Sequence, residues 1–200
     1  MTEAYVNDGR SRCWWAGDPG STRADPRMLA YHDQEWGVPV HDDTELFERL
    51  ALESFQAGLS WQTILNKREA FRAAFLGFDP ATVAAFGDDD RARLMADAGI
   101  VRNGAKIDAT IENARVLLDL AAEFGSFDAY LLSKAPGPPA TLPRTAVGGS
   151  IPATTPASDA LSVDLKRRGM RFVGSTIVYS FMQSVGLVDD HLSGCFRYRG

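Results

Sequence analysis

The sequence predicts an all-α protein, and three observations support that prediction. Capping Asp or Ser residues recur before apolar runs and Gly recurs after them, as at the two ends of helices. Apolar residues follow the helical period, whereas the strict alternation typical of half-buried strands is scarce. No segment repeats at a period of about 20–50 residues, which argues against a solenoid or propeller.

Each predicted element has its own boundary signals. An N-terminal tail (1–11) precedes an aromatic turn (13–19), in which Trp14 is read as a core residue. Six of the ten prolines lie between 136 and 156 and predict a long exposed loop. The predicted helices cover 28–37, 42–53, 61–75, 80–87, 88–99, 106–124, 159–168 and 172–185.

Composition limits the possible classes of protein. The 200 residues fit one domain or two small ones, and 45% apolar with 24% charged residues is typical of a soluble globular chain. No apolar run reaches the ~18 residues of a membrane span, and no signal peptide opens the chain, so a cytoplasmic location is expected. The net charge of −5 means that any nucleic-acid contact must use a local basic face.

An unusual stretch runs from residue 46 to residue 61. An apolar helix leads to Glu53, a Gly-containing turn follows, and a new helix begins at Trp61 after Ser60 as its cap. A carboxylate at the end of an apolar helix is costly to bury unless it meets hydrogen-bond donors. Taken alone, this stretch favours a partly solvated glutamate at a helix end beside a core tryptophan.

A second Gly-containing turn, around Gly99, separates the predicted helices 88–99 and 106–124. In a helix-hairpin-helix such a turn exposes backbone N–H groups suited to a DNA phosphate, and Lys106 would add a cation. An ordinary corner between two helices would give the same local pattern.

The histidines and cysteines allow one metal site. His191 and Cys195 are four positions apart, and Cys13 and His32 are candidates for the other two ligands. Four ligands without an open position make a structural zinc site, not a hydrolytic one. Buried thiols and surface histidines remain the alternative at this point, and His41 is read as a surface residue.

Several motifs, in the same order along the chain, resemble 3-methyladenine DNA glycosylase I, a family of helix-hairpin-helix DNA glycosylases. The resemblance extends from about residue 12 to residue 196, without the tail and the 136–150 loop. The motifs are Arg12-Cys13-x-Trp15, residues 30–39 and 52–61, Asp97-Ala98-Gly99-Ile100-x-Arg102, residues 158–183 in blocks, and Asp190-His191…Gly194-Cys195.

The resemblance implies a helix-hairpin-helix domain (41–125) and a second lobe built from both chain ends (1–40 and 126–200), clamped by one structural Zn²⁺. By this resemblance, the zinc ligands of this chain would be Cys13, His32, His191 and Cys195. Its base pocket would contain Glu53 and Tyr31, the catalytic pair, with Trp15, Trp36 and Trp61. Its DNA contacts would come from Gln56, Gly58 and Leu59, which press into the duplex, and from Gly99, Ile100, Arg102 and Lys106.

The implied activity is hydrolytic release of 3-methyladenine from alkylated double-stranded DNA by a monomer without lyase activity, with the free base as product. Glu53 would accept hydrogen bonds from the lesion, so that a wrong base leaves the carboxylate unpaired. One departure is Gly104-Ala105, where the family carries a second basic residue. The phosphate contact is then either weaker there or shifted to the basic residues Lys166, Arg167, Arg168 and Arg171.

Two other classes of function are compatible with parts of the pattern. A non-enzymatic helix-hairpin-helix module with a structural zinc would need the hairpin but no aromatic cage around a carboxylate. A zinc hydrolase would need an open metal position, which two thiolates and two imidazoles do not leave.

Overall fold

The computed structural model describes residues 8–17, 25–135, 140–141 and 151–199. Its helices confirm the predicted helical class, and none of those described is long and apolar enough to cross a bilayer. The described β-structure is one parallel pairing of β1 (Ala140–Thr141) with β2 (Val188–Asp189), and 3₁₀ turns span Trp14–Ala16 and Leu76–Phe78. The described α-helices are α1 (Pro26–Gln34), α2 (Asp43–Gln56), α3 (Trp61–Ala74), α4 (Pro80–Ala84), α5 (Asp88–Ala96), α6 (Gly104–Phe124), α7 (Phe127–Lys134), α8 (Pro156–Arg167) and α9 (Ser175–Ser184).

The chain divides into two compact units. The terminal unit comprises the described parts of residues 1–39, 138–153 and 182–200, and the helical unit comprises those of 40–137 and 154–181. The sequence-based division placed all of 126–200 in the terminal lobe, whereas the described residues 126–135 and 154–181 here belong to the helical unit. Their side chains explain the difference, because Phe127 stacks on Phe181 at 6.5 Å and the Tyr130 hydroxyl donates to Asp164 at 2.9 Å.

Predicted caps explain where several helices begin and end. The carboxylate of Asp42 accepts from the backbone N–H of Glu45 at 2.9 Å and starts α2. Ser60 accepts from Thr63 N–H at 3.2 Å and starts α3. Gly125 ends α6 with φ +96°, a left-handed conformation that glycine adopts without a steric penalty.

Several boundaries differ from the sequence prediction, two helix starts among them, and one helix is new. Helix α8 begins at Pro156 because Thr155, not Ser158, is its N-cap. Helix α9 begins at Ser175 instead of residue 172, because Phe172 has φ +54° and cannot continue a right-handed helix. Helix α7 was not predicted at all. The tail residues 1–7 and most of the predicted 136–150 loop lie outside the described residues.

Helix α2 is the central element of the helical unit. Every residue from Leu46 to Phe55 is buried, so the helix contacts protein on all its faces. An aromatic cluster packs beside it, with Phe55 and Phe71 rings 4.7 Å apart. A helix buried on all sides also buries its polar residues, and each of these needs a partner.

Candidate base pocket, metal cluster and hairpin

Glu53 is a buried polar residue of α2 whose hydrogen bonding is incomplete. Its side chain is 3% exposed, and its Oε2 atom has no hydrogen-bond partner among the described residues. Glu48, one and a half turns earlier on the same helix, is equally buried but accepts from Arg68 Nε at 2.6 Å and from Arg72 Nε at 3.0 Å. The helix thus carries one satisfied carboxylate and one with an unused acceptor.

The pKa values of the two carboxyl groups differ in line with their hydrogen bonding. Burial raises the pKa of Glu53 to about 8, and the positive charge of Arg49 opposes this only in part. For Glu48, burial alone would raise the pKa, but hydrogen bonds and charge from Arg72 and Arg68 lower it. Glu53 is therefore a buried acceptor that a cationic or donor-rich ligand would satisfy.

The turn after α2 presents an apolar side chain to solvent. Gly58 has φ +82°, which lets the chain reverse between α2 and α3. Leu59 is 42% exposed, and its N–H donates to Gln56 C=O at 2.6 Å. Trp61 is half-buried as the first residue of α3. These positions are compatible with the predicted roles of Gln56, Gly58 and Leu59 at a DNA surface.

Three of the predicted pocket residues lie together in the terminal unit. The Trp15 ring is 4.8 Å from that of Trp36 in an edge-on contact and 6.3 Å from that of Tyr31. Tyr31 and Trp36 are buried, and Trp15 is half-buried. The structure thus brings Trp15, Tyr31 and Trp36 together in one unit and positions Glu53 and Trp61 in the other.

Trp14 does not belong to the core, contrary to the sequence prediction. Its side chain is 65% exposed in the 3₁₀ turn that buries Ala16. Adjacent residues of so short a turn point in different directions, so Trp15 and Trp14 cannot both face inward.

A cluster of residues that could hold a metal ion joins the two ends of the sequence. The ligand atoms of Cys13, His32 and Cys195 lie within 4.8 Å of one another, and all three residues are buried. The Cys195 Sγ atom is 3.4 Å from His32 Nε2. The hydrogen bond between the two sulfurs lowers the pKa of Cys195 and raises that of Cys13, so one thiolate is already favoured.

His191 lies next to this cluster but outside the group of three. Its ring centroid is 5.0 Å from that of His32, and its buried Nε2 has no hydrogen-bond partner among the described residues. Its Nδ1 is 2.6 Å from Asp189 Oδ1, as His32 Nδ1 is 2.8 Å from Asp33 Oδ1. A carboxylate on one ring nitrogen leaves the other free for a metal, the usual arrangement of zinc-binding histidines.

These carboxylate partners were not singled out from the sequence. Arg12 holds Asp33 at 2.6 Å and so fixes the partner of His32. The sequence signal was available, because Asp33 follows His32 directly and Asp189 precedes His191 by two positions. His41 is at the surface as predicted, with its side chain 64% exposed beside Asp128.

The segment predicted to be a hairpin consists of α5, residues 97–103 and α6. Asn103 caps α6 by accepting from Lys106 N–H at 3.2 Å. Arg102 is exposed, whereas the Ile100 side chain is buried. The Gly99 N–H donates to the Asp97 carboxylate at 2.7 Å, so this donor is used within the turn.

Lys106 is the clearest departure from the predicted hairpin contacts. Its side chain is 6% exposed and donates to the carbonyls of Phe55 at 2.8 Å and Ala57 at 2.6 Å. Burial lowers its pKa. Because the ammonium is hydrogen-bonded to carbonyls at the end of α2, it is not available to bind a DNA phosphate. Arg102 is left as the exposed basic residue of the turn between α5 and α6.

Some of the alternative basic residues near the end of α8 also form ion pairs within the protein. Arg167 pairs with Asp164 at 2.5 Å, and Arg168 pairs with Glu123 at 2.7 Å. Lys166 and Arg171 are exposed. Two of the four residues are therefore engaged in the protein's own ion pairs.

Comparison with known proteins identifies the family. The sequence profile described as methyladenine glycosylase matches residues 21–198. DNA-3-methyladenine glycosylase 1 of Escherichia coli (strain K12) is 49% identical over 189 residues, which cover 94% of this chain and 97% of the relative. The DNA-3-methyladenine glycosylase of Haemophilus influenzae is 40% identical over 185 residues, which cover 92% of this chain and 96% of the relative.

Solved structures agree with the sequence comparison. A crystal structure of 3-methyladenine DNA glycosylase I has a TM-score of 0.86 and 48% identity, covering 94% of this chain and all of that chain. A Staphylococcus aureus 3-methyladenine DNA glycosylase I, solved to explain 3-methyladenine recognition, has a TM-score of 0.83 and 40% identity, covering 88% of this chain and 93% of its own. This chain belongs to the methyladenine glycosylase family.

Proposed function

We propose that this protein is a base-excision repair glycosylase that extrudes 3-methyladenine from alkylated double-stranded DNA and hydrolyses its N-glycosidic bond. The observation that carries the proposal is Glu53, a buried carboxyl group with an unused acceptor at the end of α2. The relatives named for the same activity match nearly the whole chain.

Glu53 reads the base by hydrogen bonding and charge. An alkylated adenine in DNA is a cationic purine with donors on its edge, and a carboxylate is the acceptor that matches it. The lesion's charge favours the ionised form of Glu53, which burial otherwise opposes. A base without those donors leaves the carboxylate buried and unpaired, which is the source of selectivity.

Aromatic side chains supply the stacking energy. Extrusion of a base costs a few kcal/mol, and each aromatic contact returns about 1–3 kcal/mol. We assign this role to Trp15, Trp36 and Trp61, with Tyr31 beside the reacting base. The half-buried state of Trp15 and Trp61 leaves ring surface for a ligand.

The reaction is hydrolytic and does not include a lyase step. A lyase needs an amine that attacks the sugar, and the Lys106 amine of the hairpin is held by two backbone carbonyls. A cationic purine is already a good leaving group, so Glu53 has to hold and orient it while water supplies the oxygen.

We propose that Cys13, His32, His191 and Cys195 bind one structural Zn²⁺. The donor set fits, with two buried sulfurs, a preferred thiolate, and a His191 Nε2 beside them that has no partner among the described residues. When bound, the ion stabilises the fold and leaves no position for substrate. The carboxylates of Asp33 and Asp189 keep the histidine rings oriented.

DNA is held from the helical unit, by a monomer. Leu59 fills the gap left by the extruded base, supported by Gln56 and Gly58. Arg102 and the backbone at the start of α6 bind phosphates, and the buried Ile100 packs the hairpin behind them.

The test is chromatography of the bases released from methylated duplex DNA, with wild-type protein and the Glu53→Ala variant. Wild type releases 3-methyladenine. Glu53→Ala loses most of that release and binds free 3-methyladenine at least about tenfold more weakly, because hydrogen bonds to a charged group contribute about 1.5–3 kcal/mol each. Its affinity for abasic-site DNA stays near that of wild type, since phosphate contacts are made elsewhere.

A matched control and two adverse results complete the test. Glu69→Ala removes the same side chain from an exposed position and leaves base binding unchanged. Wild-type affinity for the free base in Glu53→Ala would remove Glu53 from the pocket. DNA binding without release of any base by wild type would support the non-enzymatic module instead.

A further inference from the structure

Two lysines of the helical unit bind backbone carbonyls instead of carboxylates. Lys106 Nζ donates to Phe55 C=O at 2.8 Å and to Ala57 C=O at 2.6 Å. Lys67 Nζ donates to Ala98 C=O at 3.1 Å and to Gly99 C=O at 3.0 Å. Each ammonium thus links two segments that are distant in sequence.

The linked segments are those proposed to touch DNA. Phe55 and Ala57 flank the end of α2, directly before Gly58 and Leu59. Lys106 itself belongs to the first turn of α6, the second helix of the hairpin. Its side chain therefore spans from the hairpin to the start of the turn that presents Leu59.

Lys67 makes the reverse connection, from the Leu59 side to the hairpin. Lys67 lies on α3, the helix that begins immediately after the Leu59 turn, and it reaches the carbonyls of the hairpin turn. Two lysines therefore connect the Leu59 turn with the hairpin: Lys106 extends from the hairpin to the turn, and Lys67 extends from the helix after the turn to the hairpin. We call each of these lysine contacts a brace.

Burial makes the Lys106 contact strong and specific. The last carbonyls of a helix carry a partial negative charge that favours a cation. A hydrogen bond from a charged donor is about twice as strong as a neutral one, and it is stronger still where water is excluded. Burying an ammonium is costly, however, so a neutral side chain would serve better if the site needed only packing.

We propose that Lys106 is a positioning residue that fixes the Leu59 turn relative to the hairpin, with Lys67 as a second brace. The proposal rests on the proposed function, since it assumes that the hairpin holds phosphates and Leu59 enters the duplex. Phosphate contacts then set the register at which Leu59 is inserted. Loss of the brace leaves DNA bound but lowers the fraction of complexes in which the base is extruded.

The first experiment compares Lys106→Met with wild type on methylated duplex and single-stranded DNA. Methionine keeps the apolar stem and removes the donors. The turnover rate on duplex falls by about tenfold or more, the equivalent of one charged hydrogen bond, while KM changes less than about threefold. The rate on single strands and the affinity for free 3-methyladenine each change by less than about threefold, because neither requires a filled gap.

Lys134→Met is the matched control. Lys134, at the end of α7, pairs with Asp164 of α8, away from both braced segments, so its loss removes one positive charge without touching the turn. Its excision rates and its unfolding midpoint stay near those of wild type. A reduction equal to that of Lys106→Met would show that net charge, and not position, is responsible.

A double-mutant cycle keeps the test decisive if Lys106→Met proves too unstable to assay. In a Leu59→Ala background, Lys67→Met should add little further loss on duplex DNA, because the brace acts through Leu59. Additive losses would overturn the proposal. So would equal losses on duplex and single strands, or a parallel loss of free-base affinity. Failure of wild type to release 3-methyladenine would instead refute the proposed function.

Discussion

The charge state of Glu53 yields a prediction that can be checked without DNA. Glu53→Gln replaces the buried carboxyl group with a neutral group of nearly the same shape. Raising the pKa from 4.5 to about 8 corresponds to about 5 kcal/mol at about 1.4 kcal/mol per pH unit. Because the residue is fully buried, solvent does not screen this energy, although Arg49 has already offset part of it.

The sign follows from proton binding. Between about pH 4.5 and pH 8 the folded protein holds a proton on Glu53 and the unfolded chain does not. The free energy of unfolding of wild type therefore falls, relative to Glu53→Gln, as the pH rises through that window. We expect near-equal stability of the two proteins at pH 5 and an advantage of about 4 kcal/mol for Glu53→Gln at pH 8.

The assay is urea unfolding of both proteins at several pH values from 5 to 8. Glu48→Gln is the matched control on the same helix, and its effect has the opposite sign. The lowered pKa of Glu48 means that its ion pairs with Arg72 and Arg68 add stability above pH 4.5, which is lost on acidification. A stability difference between wild type and Glu53→Gln that does not change with pH would refute the reasoning.

The remaining predictions concern the metal cluster and the Leu59 turn. Cys13→Ser should lower zinc content and the melting temperature together, measured by elemental analysis and calorimetry; full zinc occupancy with an unchanged melt would contradict a shared site. Leu59→Ala should slow excision from duplex DNA more than from single strands, and equal losses would return Leu59 to a structural role. Gly37→Ala should destabilise the fold by about 1–3 kcal/mol and weaken zinc binding, because φ is +74° and the new Cβ would lie 3.0 Å from His191 Cε1. Gly58→Ala, at φ +82° with open space around it, controls for backbone strain alone; equal zinc affinity in both variants would exclude the histidine contact.

Local signals were sufficient for much of the helical framework. Caps such as Asp42 and Ser60 act within a few residues, so the sequence around them determines where α2 and α3 begin. Helix α8 was misplaced because Thr155 and Ser158 form a reciprocal pair in which either residue alone resembles an N-cap. Helix α9 was predicted to start too early because the left-handed Phe172 is held by tertiary contacts, among them Ser54 Oγ donating to its carbonyl at 3.2 Å.

The site was predicted less evenly than the fold. The cluster of Cys13, His32 and Cys195 and the burial of Glu53 follow the resemblance, because motif residues keep their places. The direction of the Lys106 side chain was not predictable, since a lysine reads as a cation whether it reaches solvent or a carbonyl. Only the fold brings Phe55 and Ala57 within its reach.

The terminal unit also has a consequence for the order of events during synthesis. It is assembled from three separated stretches, whereas the helical unit lies wholly within residues 40–181. Cys13 and His32 leave the ribosome first and must wait for His191 and Cys195, while the core around α2 can already form. With zinc as the proposed ligand, metal capture is the last step of maturation, and a translation product that stops before residue 191 displays half a metal site with a reduced thiol.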